Sequence, residues 1–107
     1  MTPVLVLTTV GATFDPAPLA THLVEKRLAA CVNVIPQIYS VYRWKGEIEK
    51  DSEQLLLIKT IDSQVDALRE ALFSMHPYEV PEFVVVRIDS LSEGYRLWLT
   101  GELQRAE

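Results

Sequence analysis

The order of apolar patterns predicts an α+β chain of the ferredoxin-like type, β-α-β-β-α-β, with two helices laid over one face of a four-stranded antiparallel sheet. Three observations carry that prediction. Runs of β-branched and apolar residues alternate with segments whose apolar residues recur every three or four positions. A reversal signal, Lys45-Gly46, separates two long β-type segments, and Pro77 closes the second helical pattern just before a final β-branched run. The chain has 107 residues, 49% apolar and 23% charged, so it has the size and composition of one packed domain, 1–107, and disorder is not indicated.

Val4 to Val10 is a short apolar and β-branched run ended by Gly11, a buried first strand. Asp15-Pro16 starts a helix, because the carboxylate accepts orphan amide protons while proline presets φ in the first turn. Leu19, Ala20, Leu23, Val24 and Leu28 then form one apolar face over Pro16 to Leu28. Ala30 to Trp44 is rich in Val, Ile and Tyr, with Val32, Val34, Ile38, Tyr42 and Trp44 at even positions and Pro36 as a bulge or edge position. Glu47 to Thr60 returns from the Lys45-Gly46 turn and ends in the apolar block Leu55-Leu56-Leu57-Ile58. Thr60 or Asp62 is a candidate cap for a second helix, Ser63 to Met75, carrying Val65, Leu68, Leu72 and Met75 at helical spacing. Phe83 to Ile88 is the fourth strand, and Ser92 to Leu99, which carries Tyr95, Leu97, Trp98 and Leu99, is a short closing helix packed on the body.

The central hairpin is too long for such a body. Each arm of about 14 residues reaches about 45 Å at about 3.3 Å per residue, whereas a helix of about 13 residues covers only about 20 Å. The ribbon therefore projects with Tyr39, Val41, Tyr42 and Trp44 on it, an aromatic load suited to a subunit interface. Self-association is expected, and a bulge that curls the arm back over its own sheet is the alternative.

A formal net charge of −5, with no basic run longer than Lys26-Arg27, argues against nucleic acid and against an anionic membrane surface. No stretch approaches the roughly 20 apolar residues of a membrane span, and the opening segment lacks the marks of a secretion signal, so a cytoplasmic protein is expected. Cys31 is the single cysteine, which excludes an internal disulfide and a multi-cysteine zinc site within one chain.

Few residues offer chemistry. Glu47, Glu49, Asp51 and Glu53 alternate along the return strand, which puts four carboxylates on one face at about 6 to 7 Å intervals. That is either a weak cation ladder or a charged face that discourages aggregation. Cys31 reads as a small buried hydrophobe and His22 as a surface or interface side chain. His76 lies in a loop stiffened by Pro77 and Pro81, with Tyr78, Glu79 and Glu82 beside it. Lys59 at the end of the third strand is read as converging with that loop at one end of the sheet. Capping and loop satisfaction account for the same residues equally well. The scattered glycines exclude a phosphate loop and a dinucleotide fingerprint.

Five ordered segments resemble one known family: Arg27-Leu28-Ala29-Ala30-Cys31-Val32-Asn33, Ser40-Val41-Tyr42-Arg43-Trp44-Lys45-Gly46, Glu53 through Lys59-Thr60, His76-Pro77-Tyr78-Glu79-Val80-Pro81-Glu82, and Tyr95-Arg96-Leu97-Trp98-Leu99. In these the chain is similar to the CutA divalent-cation tolerance proteins over about Val4 to Leu99. The resemblance implies a ferredoxin-like subunit in a compact homotrimer built through the long hairpins, an architecture like that of PII signalling proteins. It implies tolerance to copper and other divalent metals, no obligatory cofactor and no catalytic reaction. Family members credited with copper binding carry a cysteine at the end of the first strand and a His-His pair before Pro-Tyr; the matching positions here are Thr8 and Met75-His76. Only His76 carries over as a metal ligand, with Met75 a soft thioether that does not replace imidazole.

The leading expectation is thus a non-enzymatic, trimeric metal-tolerance protein with a subunit-interface cleft lined by some of Trp44, Lys59, His76, Tyr78 and Glu82. The alternatives are a PII-like sensor that binds a small anion at Lys59, and a stable trimeric scaffold.

Overall fold

The apolar alternation along the first strand sets the layout of the whole molecule. In a computed structural model, which describes residues 1–104, β1 (Pro3–Gly11) buries Val4, Val6, Thr8 and Val10 on one face and leaves the odd positions half-buried on the other. The remaining elements are α1 (Ala17–Glu25), β2 (Cys31–Trp44), β3 (Glu47–Ile61), α2 (Val65–Met75), β4 (Val84–Arg87) and α3 (Glu93–Gln104). One antiparallel sheet has the order β2-β3-β1-β4, which is the split βαβ topology expected from the pattern. The sequence reading of one domain over 1–107 includes three C-terminal residues outside those described.

Helix α1 starts as anticipated: Asp15 accepts a hydrogen bond from the Ala17 amide at 3.0 Å, and Pro16 leads the first turn. It stops three residues before Leu28 because Arg27 turns left-handed, at φ 57°. The Arg27 amide then bonds the Val24 carbonyl at 3.1 Å and the Leu28 amide the Leu23 carbonyl at 3.0 Å, the two bonds of a Schellman ending. Arg27 is held there from both ends. Its guanidinium donates to the Glu102 carbonyl at 2.8 Å, and its own carbonyl accepts from Gln64 at 2.8 Å.

The expected cap of the second helix is not formed by either candidate. The Thr60 hydroxyl donates to the Leu28 carbonyl at 2.7 Å, and Asp62 accepts from the Thr2 and Ser63 amides. A single 3₁₀ turn, Asp62–Gln64, leads into α2 without a side-chain cap. The two helices close the principal core, Val6, Val10, Leu19, Leu23, Leu56, Ile58, Leu68 and Leu72, all essentially inaccessible to water. Helix α3 runs five residues past its predicted end, to Gln104, where Leu99 and Leu103 pack with Ala30 and Ile61 in a second cluster.

The hairpin is as long as the sequence demanded. Its turn has positive φ at both central residues, 50° at Lys45 and 83° at Gly46, the twist-matched two-residue reversal. Between Ile35 and Ile38 the register slips, since Ile35 faces Leu55 but Ile38 faces Glu53. Pro36 therefore marks a bulge, and the extra residue changes the face of everything beyond it. Val32 and Val34 point toward the helices, whereas Ile38, Tyr42 and Trp44 point away from them, so the even positions of β2 do not share one face.

Candidate functional site

Because β4 pairs only with Val4–Leu7 of β1, the far end of that strand is left to the segment that follows α2. His76 takes the place of a strand neighbour there. Its Nε2 donates to the Thr9 carbonyl at 2.9 Å, with Thr8 Oγ1 3.3 Å from the same nitrogen, and its Nδ1 accepts the Tyr78 amide at 3.1 Å. A carbonyl only accepts and an amide N–H only donates, so the ring is the neutral Nε2–H tautomer. Burial pushes its pKa below the usual 6.5, against the opposing pull of the Thr9 carbonyl and Glu53.

Tyr78 extends the arrangement outward. Its ring packs edge-on against His76 at 4.9 Å, and its hydroxyl donates to Glu53 Oε2 at 2.6 Å across β1, close to Gly11. Burial and Glu53 together raise the Tyr78 pKa, so the phenol keeps its proton and donates. Glu53 is only 5% exposed, yet Oε1 takes no protein hydrogen bond among the described residues and no buried side-chain oxygen there is unpaired, so Oε1 opens outward. Glu82 is raised by burial first and by the charge of Glu53 second, as two carboxylates facing one space require.

That space is a cleft of about 870 Å³ between the projecting ribbon and the 77–82 loop. Tyr39, Tyr42, Trp44 and Tyr78 are among the residues that line it, and Glu53, Glu79 and Glu82 supply its charge. No Lys, Arg or His lines it among the described residues. Tyr42 donates to Asp51 on the opposite arm, which raises its own pKa to about 12. The carboxylate ladder thus continues from the cleft along the ribbon, opposite Tyr42 and Trp44.

Of the predicted cleft residues, Trp44, Tyr78 and Glu82 meet here and His76 lies buried beneath Tyr78. Lys59 does not join them. It pairs with Leu5 and Cys31 and sets its ammonium 5.5 Å from the Tyr95 ring centre. The reason is topological: α2 starts where β3 ends and runs back along the sheet, which puts the loop after α2 at the end opposite Lys59. Glu53 was read from sequence only as the last rung of the ladder; its alignment with Gly11 and the reach of Tyr78 single it out. Gln54, beside it, donates to the Gly11 and Phe14 carbonyls and ties down the loop after β1, a role no sequence signal marked.

The positions matched to copper ligands fit that metal poorly. Thr8 offers a fully buried hydroxyl, Met75 packs against the core, and both nitrogens of His76 are engaged. No group of three or more His, Cys, Asp or Glu among the described residues is arranged to hold a metal ion.

The pattern of the CutA1 divalent ion tolerance proteins matches residues 4–102. The chain belongs to that family. It is 53% identical to mouse Protein CutA over 81 residues, covering 76% of this chain and 46% of the relative. It is 44% identical over 95 residues to the divalent-cation tolerance protein CutA of Thermus thermophilus, covering 89% and 92%. The fold superposes on the crystal structure of CutA1 from Oryza sativa with a TM-score of 0.91 at 37% identity, over 99% of this chain and 97% of that one. The chain spans about half the length of the vertebrate CutA relatives it matches. No helix of this CutA-family chain is long and apolar enough to cross a membrane among the described residues.

Proposed function

We propose that the chain works as a non-enzymatic, cytoplasmic, homotrimeric divalent-cation tolerance protein whose cation site is the acid-lined cleft between the ribbon and the 77–82 loop. The observation that carries the reading is the charge of that cleft: Glu53, Glu79 and Glu82 line it without a basic neighbour. Like charges sharing a partly buried space repel one another, and a cation between them removes that cost. The same lining speaks against a small-anion sensor, since Lys59, on which that alternative rested, belongs to the other end of the sheet. Copper on His76 would have to displace the Tyr78 amide or the Thr9 carbonyl, so the carboxylates rather than the imidazole hold the metal, loosely and through water.

Self-association is supported by the sheet face away from the helices. Ile35, Leu5, Leu7, Leu55, Leu57 and Val84 share it by register, and neither α1 nor α2 covers it. The free edges of β2 and β4 add unpaired backbone for a second copy.

Calorimetric titration with Cu²⁺ and Mn²⁺ tests the cation site. Glu53→Gln and Glu82→Gln should each weaken binding. Binding untouched by either, and lost only in His76→Ala, would move the metal to the imidazole and overturn the carboxylate site.

A further inference from the structure

We propose that the cleft is a binding site for an organic polyamine, an extended aliphatic chain with several protonated amines. The inference rests on the cleft being a cation site and names the class of cation that fits it best.

Size and lining both point away from a bare ion. A space of about 870 Å³ far exceeds one ion, and no compact set of three metal-binding side chains exists among the described residues. Separated carboxylates hold a hard divalent cation only loosely, through the waters it retains. A polyamine has the opposite requirement. Its charges are spaced along methylene segments, so each amine takes one carboxylate, while the methylenes and ammonium groups lie on aromatic faces. Trp44, Tyr42, Tyr39 and Tyr78 supply those faces in the same cleft as Glu53 and Glu82. Glu53 is the anchor: Tyr78 pins Oε2, and Oε1 is left to accept from a ligand. The side chain is already ordered and desolvated, so little further entropy is lost when an amine binds.

Titration of the full chain with spermidine, with Mn²⁺ and inorganic phosphate in parallel, tests the proposal. Spermidine is expected to bind at one saturable site per chain. Glu53→Gln and Glu82→Gln should each weaken it about tenfold, the worth of one charge-assisted hydrogen bond. Trp44→Ala should weaken it as well. Asp66→Asn, which removes the same charge at the far end of α2, should leave it unchanged. Thermal melts of the glutamine variants separate lost binding from lost folding, and in Glu53→Gln the amide oxygen still accepts from Tyr78.

The proposal falls if spermidine shows no saturation, or if all three charge-neutralising variants lose affinity equally, which is diffuse counterion attraction. Mn²⁺ binding that depends on Glu53 and Glu82 without spermidine binding would overturn the polyamine and leave the cation cleft standing. Phosphate binding that depends on the cleft residues would remove both.

Discussion

His76 has one ring proton and two fixed partners, and that arithmetic decides what the residue does. Neutral, it donates to the Thr9 carbonyl and accepts from the Tyr78 amide; protonated, it loses the acceptor and faces one N–H with another. Its folded pKa lies below its unfolded value, so the unfolded chain binds the proton first as pH falls. The stability this residue contributes is whole above about pH 6.5, declines as pH drops from there through the lowered folded value, and changes no further below it. Urea unfolding at about pH 7.5 and 5.5 should show that decline, and His76→Gln should remove that part of it. A ¹⁵N NMR spectrum with the proton on Nδ1, or a charged ring at neutral pH, would contradict the assignment. Arg27 gives a second prediction at this scale. An L-residue in the left-handed region costs about 1–2 kcal/mol, and here the Glu102 carbonyl bond offsets it. Arg27→Ala keeps the strain and loses the bond, whereas Arg27→Gly loses both, so the alanine variant should be the less stable by about 1 kcal/mol. Equal stability of the two would show that the positive φ carries no cost.

The ribbon is the element on which the site depends, and two local features govern it. At its tip, nothing lies within 4 Å of where a Gly46 Cβ would sit, so a side chain there meets backbone strain alone. Gly46→Ala should cost about 1 kcal/mol, and Lys45→Asn should return a few tenths, both read from thermal melts. A larger loss in Gly46→Ala would mean that the tip is packed against something in solution. At its base, the Pro36 bulge sets which face Tyr42 and Trp44 occupy. Deleting Gln37 takes out the extra residue and leaves Ile38, Tyr42 and Trp44 opposite Glu53, Glu49 and Glu47, so the rings keep their face while the kink is removed. The deletion variant is expected to fold and to keep its cation binding. Lost affinity would mean that the kink of the bulge, and not the face of the rings alone, shapes the wall.

At the scale of the whole molecule, the helices protect one sheet face and leave the other to a partner. The extents, 44 × 28 × 22 Å, reflect the ribbon reaching past a two-layer body. Valines on β4 are more than two-fifths exposed, as are Tyr39 and Trp98, apolar area that a lone domain this small gains by covering. Sedimentation equilibrium should give three times the chain mass of 12.1 kDa at micromolar concentration. A single-chain mass across the dilution series would leave the sheet face uncovered and remove the trimer from the proposed function.

Periodicity alone determined the element order, the hairpin turn and the excess length of the ribbon, because each is a local consequence of residue size, branching and permitted φ. It also singled out the loop from His76 to Glu82, since two prolines and an imidazole are legible in any context. Tertiary structure decided the rest. Which face a strand residue takes depends on a one-residue bulge, and which loop meets which strand end depends on the direction α2 runs. Hence Trp44 met Tyr78 and Glu82, Lys59 was carried to the opposite end, and Glu53 rose from one rung of a ladder to the anchor of the cleft. His76 presented the same limit. Its ring was visible in the chain, but its lone pair was committed by Tyr78 and its proton by Thr9, and a partner 67 residues away in sequence leaves no local trace.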